Sequence, residues 1–599
     1  MTDRTKIGFD ILKVASGIGI LGDILLRVMP WGLNVFLFNL AFVAGAIFLF
    51  RQHAPQRLTV QTWSLLGAQV FFSAMFVWRD SVALRFADSL AILAILSALF
   101  LPKFGIAQRV AGVAHYAAAF LMSSLNAVFS PFALAGSDIK WKSDTSTWRR
   151  HAASGLRGVA IATPLVLVFG LLFMSADAAF EGFVQRTFNF DPTIAFTHAA
   201  LFGVFAWLTA GYLRGAIMPT LAGSASAAYS QVVDDRCPDD RSTTNADDPA
   251  SNDEGSHMDR VREDSGEYPV TLPNDRTVIE HINITDPPFA ASGNKTEDAT
   301  STVDDTADGV RSSWPNIDNT VIPSAFTLGT VEVAIILGLM NLLFLSFVIM
   351  QVPYLFGGME LVQTTPDFKL AEYARRGFGE LVAVSALVLP VLLAGHWLIK
   401  KDVPAARKVF TALAALQIGL LFVIMASAAQ RLLLLTGSLG YGMTTVRLYP
   451  MIFMAWLAVV FVWFGATVLR GARQYFAWGA LWTAFVVLGA AHALNPDAFI
   501  VRTNVALAQQ GRDFDAYYNS RLSDDALPEL IGSFEKLNSE DQEAAVKWIA
   551  LRYCEKREEG DLRSWNMARS EAFSLLDSNH EFVAAVGRCY REKYGMVGD

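Results

Sequence analysis

Apolar residues in this chain occur in long continuous runs rather than in short alternating stretches. A run of about twenty apolar residues is long enough for a helix to cross a bilayer. Such runs predict membrane helices near residues 10–27, 31–50, 59–78, 83–101, 106–130, 156–178, 195–217, 327–351, 379–399, 405–428, 448–469 and 474–492. The pattern therefore predicts an all-α fold, a polytopic membrane helix bundle with about 11–12 transmembrane helices.

The first of these runs is the most polar. Lys13, Asp23 and Arg27 lie within it, and charged side chains are costly in the apolar part of a membrane. This segment is expected either to span the bilayer or to lie partly in the interface.

Polar sequence divides the chain into four predicted parts. Between two membrane halves, 1–217 and 327–494, residues 218–326 are rich in Asp, Ser, Thr, Pro and Asn, without apolar periodicity. Such a segment cannot bury enough apolar surface to offset the entropy of ordering, so it is predicted to be a disordered acidic linker. It is interpreted either as a docking or regulatory segment or as a tolerated insertion.

Residues 495–599 are predicted to form a soluble helical tail, a small all-α module. Ser523 precedes one short helical pattern, and Ser539 with Gln542 has the spacing of a capping box. The helix after Ser539 has an apolar face formed by Val546, Ile549, Ala550 and Tyr553. Two further helices are predicted over Ser564–Leu576 and Ser578–Tyr594.

Composition supports a membrane protein and excludes some functions. Hydrophobic residues make up 53% of the chain, and the mean hydropathy is +0.36, outside the range of soluble domains. Residues 231–320 hold 21 Asp/Glu against 7 Lys/Arg, so the membrane part is basic although the whole chain has a net charge of −8. Because neither soluble region is basic, no nucleic-acid partner is expected.

Basic loops indicate the orientation. The loops with Lys140–Arg157, Lys400–Lys408 and Arg470–Arg473 fall on one side by helix parity, which is interpreted as cytoplasmic. The linker would then be inside and the tail outside. Arg51 and Arg57 would also be outside, unless one early segment fails to span.

No cofactor or metal is expected from the motifs. The three cysteines, Cys237, Cys554 and Cys589, contain no CxxC pair, and no phosphate-binding glycine loop occurs. Cys554 and Cys589 would pair if the tail is extracytoplasmic, but the pattern favours two free thiols on separate helices.

Several isolated ionisable residues lie in or near apolar runs. An ionisable group inside a membrane is a candidate for function, although each one alone is also explained by an interfacial position or a satisfied packing role. These residues are Asp88, His115, Asp177 and His198. His396 and His492 lie near predicted helix ends, without a companion ligand close in sequence.

Two stretches carry the candidate site. In Val352–Leu389, the residues Glu372, Arg376 and Glu380 recur every four positions and so form one stripe on a helix. In Arg431–Tyr449, three glycines interrupt two apolar runs, and the predicted topology places both stretches at one membrane face. The candidate cluster comprises Tyr354, Glu372, Tyr373, Arg375, Arg376, Glu380, Arg431, Tyr441, Thr444 and Arg447. It is interpreted either as a ligand or ion site or as a structural clasp of paired charges.

The same stretches resemble a known group of proteins. The runs PYLFGG at Pro353, EYARRGFGELVAVSALVLPVLL at Glu372 and YGMTTVRLY at Tyr441 are similar to bacterial multi-pass membrane proteins grouped as domains of unknown function 4153 and 4173. The latter is the closer of the two, and the similarity continues into NPDAFIVRTNV at Asn495 and RSWNMARSEA at Arg563. The resemblance implies the bacterial cytoplasmic (inner) membrane and no activity or cofactor.

Two main hypotheses for function follow. The first is a non-enzymatic transporter- or channel-like protein with its charged site between residues 354–380 and 431–449. The second is an envelope sensor or assembly scaffold that acts through the helical tail and the acidic linker. The expected partners are the lipid bilayer and a protein that binds the tail. An intramembrane enzyme is a third possibility, because carboxylates such as Asp88 and Asp177 can act as acid or base.

Overall fold

Helices form the regular structure throughout the part of the chain that the structure describes. The structure is a computed structural model, and it describes residues 3–139, 192–218, 327–356, 378–399, 403–437, 442–556 and 561–594. These residues belong to one compact unit. In this part of the chain the only strand-like feature is an isolated parallel bridge between Leu328 and Ile399. The all-α prediction is confirmed.

The N-terminal membrane half contains six described helices. They are α1 (Asp3–Leu26), α2 (Leu33–His53), α3 (Val60–Trp78), α4 (Val82–Phe100), α5 (Val113–Ala133) and α6 (Pro192–Ile217). The predicted segment at 156–178 and the linker, from residue 219 to residue 326, lie outside the described residues.

The C-terminal membrane half contains five described helices. They are α7 (Thr330–Phe356), α8 (Phe378–Leu398), α9 (Pro404–Thr436), α10 (Thr445–Thr467) and α11 (Phe476–Leu494). Helix α9 ends at Thr436, with Gly437 as its C-cap, and α10 begins at Thr445, so the predicted interruption between two apolar runs is confirmed.

Ten of the described helices are long and apolar enough to cross a membrane. Every helix from α2 to α11 belongs to this set, whereas α1 does not. The charges in α1 explain the difference, since Asp10, Lys13 and Asp23 all lie within it. It still runs along the bundle. Arg4 lies 3.9 Å from Asp138 at one end, and the carbonyl of Ile24 accepts a hydrogen bond from the tail at the other.

One end of the bundle brings together loops that helix parity places on opposite sides. The guanidinium of Arg57 donates to the carbonyl of Ala216, and Gln108 Nε2 donates to Thr62 Oγ1 at 3.2 Å, where α3 begins. Asp138, after α5, pairs with Arg214 of α6 at 2.6 Å. Both flanks of α5 therefore lie at the end that holds Arg57. The parity argument placed Arg57 opposite the loop after α5 unless one early segment fails to span, and these contacts favour that exception, because α5 does not carry the chain to the other end.

The two membrane halves pack against each other through α3, α4 and α11. The rings of Phe72 in α3 and Phe485 in α11 lie 5.1 Å apart, within a buried cluster that also includes Leu65, Ile95 and Phe76. This apolar contact joins segments that the predicted linker separates in sequence. Each half therefore buries part of its apolar surface against the other.

The tail contains six described helices. They are α12 (Pro496–Ala508), α13 (Ala516–Ser520), α14 (Leu527–Gly532), α15 (Ser539–Lys556), α16 (Met567–Ser578) and α17 (His580–Tyr594). The predicted apolar face of α15 is confirmed, because Val546, Ile549, Ala550 and Tyr553 are all buried in the core of the tail.

Two predicted helix starts in the tail are wrong in detail. Asn538 rather than Ser539 caps α15, since its Oδ1 accepts the N–H of Asp541 at 2.7 Å. Asn566 caps α16, two residues after the predicted start at Ser564. In both cases a local hydrogen bond decides the position of the helix end. Ser523 directly precedes a helical segment as predicted, although its hydroxyl donates to a carboxylate described below and makes no cap hydrogen bond.

Cys554 of α15 and Cys589 of α17 form a disulfide, with their Cα atoms 6.1 Å apart. The expectation of two free thiols on separate helices is therefore wrong. The two helices pack side by side in the tail core, and this brings residues 35 positions apart in sequence within bonding reach.

Candidate functional site

Four of the ten predicted site residues have described side chains. Glu380 is exposed in the first turn of α8, and Arg431 is partly buried near the end of α9. Thr444 is the residue before α10, and the guanidinium of Arg447 donates to the carbonyl of Gly442. The other six lie outside the residues whose side chains are described: Tyr354, Glu372, Tyr373, Arg375, Arg376 and Tyr441. The predicted cluster between the two stretches stays a prediction.

The second predicted stretch is bound by the tail. The side-chain amide of Asn504 in α12 accepts the N–H of Met443 at 2.6 Å and donates to the carbonyl of the same residue at 3.0 Å. The hydroxyl of Tyr518 accepts the N–H of Thr445 at 2.8 Å. Side chains of the tail therefore form hydrogen bonds with the backbone groups just before α10.

Only glycine suits position 442 in this arrangement. Its φ is +68°, a backbone conformation that residues with a side chain rarely adopt. A Cβ atom there would lie 2.9 Å from Asn504 Oδ1, the oxygen that accepts the N–H of Met443. The glycine thus permits both the turn and the close approach of α12.

A second contact joins the tail to the turn between α3 and α4. Asp525 Oδ2 accepts the backbone N–H groups of Asp80 at 2.6 Å and Ser81 at 2.9 Å. Its Oδ1 lies 3.5 Å from the guanidinium of Arg79. Asp525 is buried, and burial raises the pKa of its carboxyl, while the Asp80 N–H and the charge of Arg79 act in the opposite direction. We call this contact the Asp525 clasp.

Helix α16 strengthens the same junction. Asn566 Nδ2 donates to the carbonyls of Phe76 at 2.9 Å and Arg79 at 3.0 Å, which end α3. Arg569 Nε lies 3.3 Å from Asp80 Oδ1, and its NH2 donates to the carbonyl of Trp31. The end of a membrane helix has carbonyls without partners inside the helix. Here the tail supplies their donors.

A cleft of 1540 Å³ opens beside the Asp525 clasp, between the tail and the beginnings of α4 and α10. Its polar wall is formed by Asp80, Ser81, Asp497, Arg521, Ser523 and Arg552. Its apolar wall includes Val82, Phe86 and Val446, which are 79%, 65% and 78% exposed. Ser81 Oγ and the hydroxyl of Tyr449 share a 2.9 Å hydrogen bond that joins α4 to α10 at this position.

Asp497 is the polar group of the cleft wall with an unused acceptor. Its Oδ2 accepts the hydroxyl and the N–H of Ser523. Its Oδ1 is buried and has no hydrogen-bond partner among the described residues. Burial raises the pKa of this carboxyl, against the effect of the Ser523 hydrogen bonds and of the nearby Ser81 hydroxyl. A buried acceptor without a donor costs about 1–3 kcal/mol, so a donor from a ligand or a bound proton would stabilise it.

The basic side chains of the cleft have different surroundings. Arg552 is paired with Asp524, which also accepts the hydroxyl of Tyr553 at 2.8 Å. Arg521 is exposed and lies over the ring of Tyr517, 5.2 Å from its centroid. The cleft therefore presents one accessible guanidinium, that of Arg521, in addition to the carboxyl of Asp497.

The isolated ionisable residues of the membrane half have separate locations. His198 Nδ1 lies 2.5 Å from Asp23 on an exposed surface of α6, and His115 Nδ1 accepts the N–H of Gly112 at the start of α5. The ring of His396 packs against Phe410. Asp177 lies outside the described residues. Within the described ranges no group of three or more His, Cys, Asp or Glu side chains is arranged to hold a metal ion.

The fold and the site define a multi-pass helical membrane protein whose helical tail is bound to one end of its bundle, with an open cleft at the junction. The chain belongs to the family described as domain of unknown function (DUF4153), whose model matches residues 66–233 and 309–532. No curated protein and no solved structure is similar to the chain at a significant level. The resemblance to group 4153 is confirmed, and the closer relation to group 4173 stays a prediction.

The extent of the family match bears on the site. It includes Ser81, Asp497 and Asp525, and it ends before Arg552 and Asn566. The Asp525 clasp and the free acceptor of Asp497 thus lie within the family region. The resemblance noted at Arg563 lies outside it.

Sequence reasoning missed the cleft because its walls come from separate segments. Asp80 and Ser81 lie in a short turn, and Asp497 and Asp525 lie in a tail that was interpreted as a separate module. The one available signal was the run from Tyr441 to Tyr449, which includes the lining residues Thr445, Val446 and Tyr449.

Proposed function

We propose that this protein is a transporter-like membrane protein that binds an amphiphilic molecule in the cleft between its tail and its helix bundle. The observation that carries the proposal is the division of the cleft into two walls. The polar wall has Asp497 and Arg521, and the apolar wall has the exposed side chains of Val82, Phe86 and Val446. Exposed apolar groups beside a few polar groups are typical of a site for a ligand with a polar head and an apolar chain.

The polar wall favours a ligand whose head group contains a hydrogen-bond donor. Asp497 Oδ1 is buried behind the cleft wall and has no donor among the described residues, and a protonated amine or a hydroxyl that enters beside it would supply one. Arg521 would pair with a phosphate at the other end of the same head group. An amine-bearing phospholipid has both groups, together with acyl chains for the apolar wall.

Lipid binding to the purified full-length protein tests this proposal. We would titrate it in detergent with phosphatidylethanolamine and with phosphatidylglycerol, which lacks the amine, and follow binding by native mass spectrometry. Val446→Trp, which fills the apolar wall, is expected to weaken binding of both lipids at least tenfold. Asp497→Asn is expected to abolish the preference for the amine-bearing lipid.

The matched control is Val462→Trp on the same helix. Val462 is 63% exposed and does not line the cleft, so its substitution should leave binding unchanged. Equal binding by the wild type, Val446→Trp and Val462→Trp would contradict the proposal.

Reconstituted vesicles separate transport from binding alone. Fluorescent phosphatidylethanolamine placed in one leaflet should cross the bilayer faster with the wild type than with Val446→Trp. Binding without movement would favour the second candidate, an envelope sensor or assembly scaffold. The observation that favours this candidate is the tail itself, which is attached to the bundle by Asp525 and Asn566 and so would transmit a bound partner to the membrane helices.

We also place the protein in the bacterial cytoplasmic membrane, as the resemblance implies, with the tail on the extracytoplasmic side. The disulfide between Cys554 and Cys589 supports this side for the tail, because disulfides persist in oxidising compartments. The described basic residues Arg407, Arg470 and Arg473 lie at the ends of α9, α10 and α11 that are away from the tail, which agrees with this orientation.

A further inference from the structure

Two ionisable side chains meet in the interior of the bundle. Asp88 lies in the second turn of α4, and His492 lies near the end of α11. His492 Nε2 is 2.9 Å from Asp88 Oδ1, and the two side chains are 0% and 1% exposed. The pair joins the two membrane halves, since 404 positions separate its members.

Each partner retains an unused polar atom. Asp88 Oδ2 and His492 Nδ1 are buried and have no hydrogen-bond partner among the described residues. A histidine that serves only to hold two helices together normally has both nitrogens engaged. With Asp88 ionised, Nε2 carries the proton that is donated to the carboxylate, and Nδ1 is the nitrogen that has no hydrogen-bond partner among the described residues. The ring can therefore be neutral or protonated without breaking its bond to Asp88.

Two arginines are the charged groups in direct relation to the pair. Arg85 of α4 acts on Asp88 and also pairs with Asp80, and Arg79 donates to the carbonyl of His492. Asp525 of the tail lies beyond Arg79. The segment Val60–Trp78, which forms α3, has no charged residue. On α5, His115 lies beside Arg473 at the beginning of α11, the end opposite His492.

We propose that Asp88 and His492 form a proton-binding site inside the membrane part of the protein. The ligand is a single proton, which adds to the imidazole while the carboxylate remains its counter-charge. With the imidazole neutral and the carboxylate ionised, the pair has a charge of minus one. Proton uptake from water makes the pair neutral, and release returns the proton to water.

The site is connected to the cleft through Arg79. The guanidinium Nε of Arg79 donates to the carbonyl of His492 at 3.0 Å, and its NH1 lies 3.5 Å from Asp525 Oδ1. Asp525 in turn accepts the N–H of Ser81, which lines the cleft. A change in charge at the Asp88–His492 pair alters the attraction on Arg79, and thereby the position of the tail beside the cleft. This inference goes beyond the proposed function because it assigns a coupling ion.

Nuclear magnetic resonance of the full-length protein with labelled histidine rings tests the proposal. The chain has nine histidines, and the signal that is lost in His492→Gln identifies the ring of interest. That ring is expected to change from neutral to protonated as the pH is lowered from about 8 to about 5. In Asp88→Asn, protonation should require a lower pH, because the counter-charge is gone.

Proton uptake on the same pH change supplies an independent measurement. His492→Gln should take up about one proton fewer per molecule than the matched control His580→Gln, which changes an exposed residue of the tail. If His492→Gln does not insert, the conservative variant His492→Asn supplies the signal assignment and the proton count in its place.

A His492 ring that stays neutral from pH 8 to pH 5, or whose protonation is unaffected by Asp88→Asn, would overturn the proposal and leave an ordinary structural hydrogen bond. The measurement uses no lipid ligand. A failure of the proton site is therefore distinguishable from a failure of amphiphile binding.

Discussion

Asp525 of the tail accepts the backbone N–H of Ser81 at the start of a membrane helix, at a distance of 2.9 Å. The same oxygen accepts the N–H of Asp80 at 2.6 Å. A helix N-terminus has N–H groups without partners inside the helix and a partial positive charge. The carboxylate of Asp525 accepts these N–H groups and places a negative charge at the helix N-terminus. The tail therefore acts as the cap of α4.

Asp525→Ala should destabilise the protein by about 3 kcal/mol, because it leaves two N–H groups and Arg79 without this partner. Thermal unfolding in detergent measures the loss. Asp577→Ala is the matched control, since it changes another tail aspartate that makes no described ion pair. Equal stability of the two variants would show that the Asp525 clasp does not hold the tail.

Gly442→Ala should destabilise the protein by about 2 kcal/mol, through its positive φ and its contact with Asn504. Asn504→Ala should cost about 2 kcal/mol through the lost bonds to Met443. The double variant should lose less than the sum, because removing the Asn504 amide removes the contact. Strict additivity in this cycle would argue against the close approach of α12.

Stability should depend on pH through Asp497, whose pKa is raised by burial. Between the ordinary pKa of an aspartate, about 3.9, and the raised value, the folded state binds more protons than the unfolded state. The free energy of unfolding therefore falls as the pH rises through this window.

Comparison with Asp497→Asn isolates this effect. The wild type should lose stability relative to the variant as the pH rises through the window, and the difference should then level off. Chemical unfolding at several pH values measures it. A difference that grows in favour of the wild type would contradict the raised pKa.

Cys554 and Cys589 should resist a membrane-impermeant maleimide in intact cells until a reductant is added. Every protein in this test carries Cys237→Ser, which removes the third cysteine. Cys554→Ser then leaves one thiol and should make Cys589, which is partly exposed, reactive without reduction. Mass-shift labelling on a gel measures both. Labelling without a reductant when Cys554 and Cys589 are both present would place reduced thiols in the tail.

Most of the membrane helices were predictable from the sequence. Apolar runs of bilayer length are a local property, and they located α2–α4, α6–α8, α10 and α11 with small shifts at their ends. Helix α9 was also located, but it continues to Thr436, past the end of its predicted run at residue 428. The apolar face of α15 at Val546 and Ile549 was equally clear, since helical periodicity depends only on spacing. The helix ends were less predictable, because caps such as Asn538 compete with neighbouring candidates over one or two residues.

The candidate site was predicted only in part. The run that includes Thr445 and Tyr449 was identified as important, yet its described partners are Asn504 and Tyr518 of the tail, together with Ser81. Those residues are far apart in sequence, and none of them belongs to a motif that would mark it as a binding partner. Hydrogen bonds of single polar side chains leave no periodic pattern from which pairing can be inferred.

The sequence by itself determined that this chain forms a helical membrane protein and which segments are apolar enough to lie in the bilayer, because hydrophobicity and helical period are local properties. Only the tertiary structure decided that Asp525 caps α4, that His492 meets Asp88 and that a cleft opens beside Asp497. Each of these depends on contact between distant segments. Such contacts are selected by packing of the whole bundle, which no single segment encodes.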